Sequence, residues 1–217
     1  MDCYLVPGLG ADHRLFARLD LRGHAVHYLD WPEMPADSTM RDFARRMAAR
    51  VDTTVAHALI GVSMGGMVAQ EMAALTRPEH VVIVSSWKGV DEMPWNIRML
   101  RGSHPERYLR PSLVRAAVPV VRWQMGAEAP EDMALFDALI GSIALEQLKV
   151  QVAAVLGWPG PAAPVHGLVH IHGDEDRLMP IDLIKEPVVR VEGGTHFMVH
   201  TLAERVGGLI RDALRAR

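Results

Sequence analysis

His57-Ala-Leu-Ile-Gly61-Val-Ser63-Met-Gly65-Gly66-Met-Val-Ala-Gln-Glu71 reads as a buried strand that runs into a helix through a turn at Ser63. The apolar run ending near Val62 is too short for a stable helix and lacks polar alternation, as strands buried on both faces do. Ser63 stands in a Gly-x-Ser-x-Gly context. A turn this sharp leaves no room for side chains two residues to either side, so glycine is needed at 61 and 65. The turn projects the serine hydroxyl beyond the sheet edge, above the N-terminus of the next helix. There the helix dipole and the Met64 amide are placed to stabilise an oxyanion.

Outward from this segment the same rhythm repeats. Short apolar runs at Cys3–Pro7, Ala25–Leu29, Ala58–Val62, Val81–Val84, Gly167–Ile171 and Val188–Val191 are predicted strands, most of them bounded by Gly, Pro or Asp. Between them lie helical spacings. Thr39 to Val51 carries Met40, Phe43, Ala44, Met47 and Val51 on one stripe; Gly66–Leu75 and Leu202–Leu214 are two further helices. Strands alternating with helices imply a mostly parallel, doubly wound α/β sheet of about six strands, with right-handed crossovers. From Lys88 to about Ala144 the alternation stops. Helical patches at Trp95–Leu100, Ser112–Met125 and Glu131–Ile140 suggest a helical lid inserted into a single domain of 217 residues, and Leu145–Leu156 a helix of the sheet layer.

A serine hydroxyl needs a base within reach, and that base needs an orienting carboxylate. In strand–turn–helix serine enzymes the chain order is Ser, acid, His. The strand at Gly167–Ile171 leads into His172-Gly-Asp174-Glu-Asp176-Arg-Leu-Met-Pro180, and the strand at Val188–Val191 into Glu192-Gly-Gly-Thr-His196. These candidates lie beyond strand carboxyl ends, at the edge where open α/β sheets bind ligands.

Four blocks, Val6-Pro7-Gly8-Leu9-Gly10, Gly61-Val-Ser63-Met-Gly65-Gly66, His172 to Pro180 and Gly193-Gly-Thr-His196, span nearly the whole chain. Together they resemble the α/β-hydrolase superfamily, in its lipase-like and esterase-like branch with a helical lid. The resemblance implies a catalytic triad of Ser63, Asp176 and His196, with Asp174 the second choice for the acid, and a second oxyanion donor at the Leu9 amide. It implies hydrolysis of a carboxylic ester, or a thioester or amide, through an acyl-enzyme and without a cofactor. The alternatives are other chemistry on the same fold (carbon–carbon bond hydrolysis, acyl transfer, cofactor-free peroxidation) and a non-catalytic small-ligand receptor that keeps the triad. Two departures stand out. Pro7-Gly8 replaces the frequent His-Gly, and the two usual leading strands are missing, which leaves a sheet edge for solvent or for a partner subunit in a homo-oligomer.

The remaining signals bound the partners. A net charge of −3 with interspersed signs gives no footprint for nucleic acid. No apolar run reaches the roughly 18 residues of a membrane span, and no signal peptide is visible, so a cytoplasmic protein acting on a small molecule is expected. The single cysteine, Cys3, opens a buried run and suits a reducing compartment. His170 and His172 alternate as metal ligands can, but no further ligand completes a set, and no metal is expected. Met93, Trp95, Met99, Trp123, Met125 and Phe136 suggest an apolar pocket roof or the lid's own packing. Trp87 borders the pocket from the sheet side, and Phe197 follows the candidate base.

Overall fold

The computed structural model describes residues 1–216. Its six strands are β1 (Asp2–Val6), β2 (Ala25–Tyr28), β3 (His57–Val62), β4 (His80–Val84), β5 (Leu168–Gly173) and β6 (Val189–Val191). They form one sheet of order β2-β1-β3-β4-β5-β6, and every neighbouring pair is parallel rather than mostly so. The helices are α1 (Met40–Ala48), α2 (Met64–Thr76), α3 (Trp95–Arg98), α4 (Pro111–Met125), α5 (Pro130–Ser142), α6 (Leu145–Gly157), α7 (Met198–Thr201) and α8 (Ala203–Ala213).

Strand side chains alternate between two cores. Tyr4, Val6, Leu59, Val81 and Ile83 face α1, α2 and α6, against Phe43, Met47, Met67, Met72 and Val150. Cys3, Leu5, Ala58, Ile60, Val82, Val84 and Ile171 face the other way, against Leu15, Phe16, Phe136, Val206 and Ile210. Strands covered on both faces cannot carry polar alternation, which is why these runs read as continuously apolar. Each buried Val, Leu, Ile, Phe or Met among them contributes about 1.5–3 kcal/mol of burial free energy. The stripe predicted for α1 is the one it buries, and its start is fixed by a reciprocal cap between Thr39 and Asp42. Cys3 is fully buried on β1, and burial pushes its thiol up to about 11.

The segment between β4 and β5 contributes α3 to α6 and no strand. The edge strand β2 is exposed along its whole length. No single helix among the described residues is long and apolar enough to cross a membrane.

The order of the strands reverses between β1 and β3, and the crevice beyond their carboxyl ends is where this class of sheet offers a ligand site. At that point α2 crosses over β1 with no side chain between them. A Cβ on Gly65 would lie 2.2 Å from the Val6 carbonyl oxygen and 2.4 Å from that of Pro7. The obstruction is backbone on both counts, so it cannot be relieved by a rotamer. Gly65→Ala is expected to lower the unfolding free energy by about 3 kcal/mol. Gly208→Ala in α8, where the nearest atom is the end of Arg211 at 3.9 Å, should raise it by about 0.5 kcal/mol. Urea denaturation of the two variants beside wild type checks both.

Candidate active site

Ser63 occupies the turn between β3 and α2 with φ 54° and ψ −121°, a left-handed conformation that side chains rarely adopt. Three contacts hold it there. Its amide donates to the Val84 carbonyl at 2.9 Å, its own carbonyl accepts the Ser86 hydroxyl at 2.8 Å, and Gly8 lies so close that a Cβ there would meet the Ser63 Cβ at 3.4 Å. Because Gly8 lies so near, the loop after β1 flanks the serine. Among the described residues, neither the Leu9 nor the Met64 amide donates to another group, and both residues line the cavity that holds Ser63. That loop is pinned from two sides: the Trp31 indole donates to the Gly8 carbonyl at 2.9 Å, and the Gly10 amide donates to the Gln151 side chain at 2.8 Å.

Beyond β5 and β6 the other two candidates meet. The His196 Nδ1 lies 2.8 Å from Asp176 Oδ2, with both side chains buried. The second carboxylate oxygen, Oδ1, accepts the Leu178 and Met179 amides at 3.0 and 2.7 Å. This leaves His196 Nε2 as the ring nitrogen with no partner. The two loops are held in register by backbone contact, since a Cβ on Gly173 would fall 2.0 Å from the Gly194 carbonyl oxygen. Asp174 is exposed and accepts the Gly193 amide at 2.8 Å, and it is Asp176 that pairs with the imidazole.

Ser63 and His196 share a cavity of about 510 Å³, within the range of small-molecule sites. Its lining is mostly apolar: Leu9, Met67, Trp87, Ile97, Leu100, Leu109, Val121, Met125, Phe136, Leu139, Met179 and Phe197. A larger groove of about 1020 Å³ between α1 and α6 contains none of Ser63, Asp176 and His196 and is bordered by charges of both signs.

Of the predicted pocket residues, Trp87, Met125, Phe136 and Phe197 lie on the cavity wall, and four do not. Trp95 and Met99 are 70 % and 72 % exposed, because the single turn of α3 directs Ile97 toward the cavity instead; Leu100, just past the helix, edges the cavity while staying partly in solvent. Trp123 lies on the outer face of α4 with the Arg177 guanidinium 4.8 Å above its ring. Met93 is buried in the core on the α2 side of the sheet. Trp31, Ser86 and Gln151, which support the serine and its loop, carry no local motif that would have marked them.

Burial competes with charge pairing and hydrogen bonds in this region. Burial raises the Asp176 carboxyl, but the His196 ring and the bonds from His196 and Met179 outweigh it, so Asp176 ends below the ordinary carboxylate value. Burial, with the neighbouring His172 and Lys88, pushes His170 down to about 2; burial also lowers His172. A histidine whose folded value is depressed contributes stability in full above its unfolded value and loses it as pH falls toward the folded one. Wild type is therefore expected to lose stability from about pH 6.5 downward, with Asp176 adding to the loss only below about pH 4. In chemical denaturation between pH 6 and pH 4, His170→Gln should flatten the slope by about 1.4 kcal/mol per pH unit.

The comparisons bear on the family and the fold. Residues 3–207 match the model of the Alpha/beta hydrolase family. A thermophilic esterase from Thermogutta terrifontis, solved with malate bound, superposes with a TM-score of 0.77 at 19 % identity, over 99 % of this chain and 89 % of that one. A hydrolase from Pseudomonas aeruginosa PA01 gives 0.76 at 16 % identity, over 99 % and 90 %. MenH from S. aureus gives 0.73 at 13 %, over 99 % and 93 %. At these identities the likeness is one of fold. No protein of curated function matches the chain.

Proposed function

We propose that this chain, which belongs to the alpha/beta hydrolase family, hydrolyses a carboxylic ester, or a closely related thioester or amide, through an acyl-enzyme on Ser63. The observation that carries the reading is the ordered pair at the cavity wall. A buried carboxylate, fixed by two amides on one oxygen, holds His196 through Nδ1, and the ring's other nitrogen has no competing bond. A base so tethered keeps one tautomer and accepts a proton without reorienting.

In this mechanism Ser63 Oγ attacks the substrate carbonyl as His196 Nε2 takes its proton. The Leu9 and Met64 amides stabilise the tetrahedral oxyanion, and they are effective because they are already oriented and unpaired. His196 then returns the proton to the departing alcohol. Water repeats the sequence on the acyl group, and Asp176 stabilises the imidazolium at each stage without taking its proton. The segment 88–144 acts as a lid over the cavity, supplying Ile97, Leu100, Leu109, Val121, Met125, Phe136 and Leu139 to its wall. A cavity of this size with so apolar a lining favours a small, partly hydrophobic acyl or alcohol group, and the chain's own residues suffice for every step.

Hydrolysis of short p-nitrophenyl esters and labelling by a fluorophosphonate that marks activated serines test the reading. Wild type is expected to turn over and to label. Ser63→Ala and His196→Ala should each lose at least about 10⁴ in kcat, and Ser63→Ala should lose all labelling. Wild type that neither labels nor turns over would sink the proposal and bring forward the receptor reading.

A further inference from the structure

Beside Asp176 lies a line of buried polar groups that the mechanism does not use. The Lys88 ammonium is 3.3 Å from His170 Nδ1, His170 Nε2 is 3.0 Å from His172 Nδ1, and His172 Nε2 is 2.8 Å from the Met179 carbonyl. The same His172 nitrogen is 3.4 Å from Asp176 Oδ2, the oxygen that receives His196. Met179 in turn gives its amide to Asp176 Oδ1. His172 therefore holds the acid's turn by its carbonyl while Asp176 holds it by its amide.

With the Lys88 ammonium at one end and the Met179 carbonyl at the other, the four groups of this line admit one arrangement of protons. An ammonium only donates, so His170 Nδ1 is an acceptor. A carbonyl only accepts, so His172 Nε2 carries a proton. One proton lies between the two rings. If it sat on His172 Nδ1, that ring would be a cation and His170 would be left with no proton on either nitrogen, an imidazolate. The remaining choice puts a proton on Nε2 of both neutral rings. Both ends of the line require the same direction, and it runs from Lys88 toward the acid.

The origin of the line is itself held firmly. All three protons of the Lys88 ammonium have acceptors: His170 Nδ1, Glu92 Oε1 at 3.1 Å, and the Lys185 carbonyl. Glu92 is 2 % exposed and also accepts the Lys88 and Lys185 amides. Lys88 has a fifth of its side chain in solvent, whereas both histidines are buried.

We propose that Lys88, acting through His170 and His172, is a positioning residue for Asp176: it fixes both rings as Nε2–H tautomers so that His172 presents a proton to the Met179 carbonyl and to the acid. With the opposite tautomer, His172 would turn a lone pair toward two electron-rich oxygens and push the acid's turn away from His196. The assignment of a catalytic consequence rests on the serine-hydrolase reading above; the hydrogen-bond line does not.

The experiment is ¹⁵N NMR of protein labelled at the histidine rings, at neutral pH, with His170 and His172 assigned by their loss in His170→Gln and His172→Gln. Wild type should show a protonated Nε2 and a bare Nδ1 for each. Lys88→Met should abolish that single tautomer at His170, and Lys88→Arg should restore it. Ester kinetics on the same proteins should show kcat reduced about tenfold in Lys88→Met with KM within about twofold, and recovery in Lys88→Arg. A thermal melt verifies that Lys88→Met folds; if it does not, the wild-type spectrum alone decides. A proton on Nδ1 of either ring in wild type overturns the proposal, and so does a Lys88→Met protein unchanged in tautomer and kcat. If no ester is turned over but the spectra behave as expected, the line stands and the serine-hydrolase reading falls.

Discussion

Two backbones touch where α2 passes over the end of β1, and the site depends on that contact. Because nothing but hydrogen fits between Gly65 and the carbonyls of Val6 and Pro7, α2 can lie directly against β1, and the equally close approach of Gly61 to Gly65 lets it start just after β3. Ser63 is then forced into a left-handed conformation at the apex. The same proximity brings the loop after β1 against the serine, so its amide joins that of Met64. A second contact of this kind, between Gly173 and Gly194, sets the acid's loop against the histidine's. The strands supply only the floor. The loops that carry Ser63, Asp176 and His196 are held by backbone packed on backbone, which has no rotamers to average over.

Much of this was legible in the residues. The central strands could be read because burial on both faces leaves runs such as Leu59–Val62 and Val81–Val84 without polar interruptions; the exposed edge strand β2 and the short β6 were read from short apolar runs alone. Glycines at 61, 65 and 173 mark the close approaches. Ser63, Asp176 and His196 lie just past strand ends, where position in the sequence translates directly into position at a sheet edge. The cavity roof was legible only in part. One turn of helix, as in α3, has too few residues to define a face, so Trp95 and Met99 could not be told from Ile97 and Leu100. α4 is apolar on two sides, with Leu113, Val120 and Trp123 outward and Val121 and Met125 inward; composition cannot say which is which.

What sequence reading missed altogether are contacts made at long range by single polar atoms. Trp31 reaches Gly8 across 23 positions, and Gln151 reaches Gly10 across 141. Each pins a backbone group whose neighbours in sequence give no hint of the partner. The histidines on β5 show a different limit. Their alternation was visible, with no further ligand beside it to complete a metal set; that their nitrogens face one another, Lys88 and a carbonyl was not. Spacing identifies which groups are near. It does not identify what their lone pairs and protons are doing.

The lone thiol on β1 has a practical corollary. Cys3 is sealed in the sheet and remains protonated at neutral pH, so alkylating reagents and disulfide-forming oxidants have no thiolate to attack. The native protein thus behaves as a cysteine-free one. A cysteine introduced on the exposed face of α4 would be its one reactive sulfur, and a fluorophore or spin label attached there would report the segment above the cavity without altering a native residue's chemistry elsewhere.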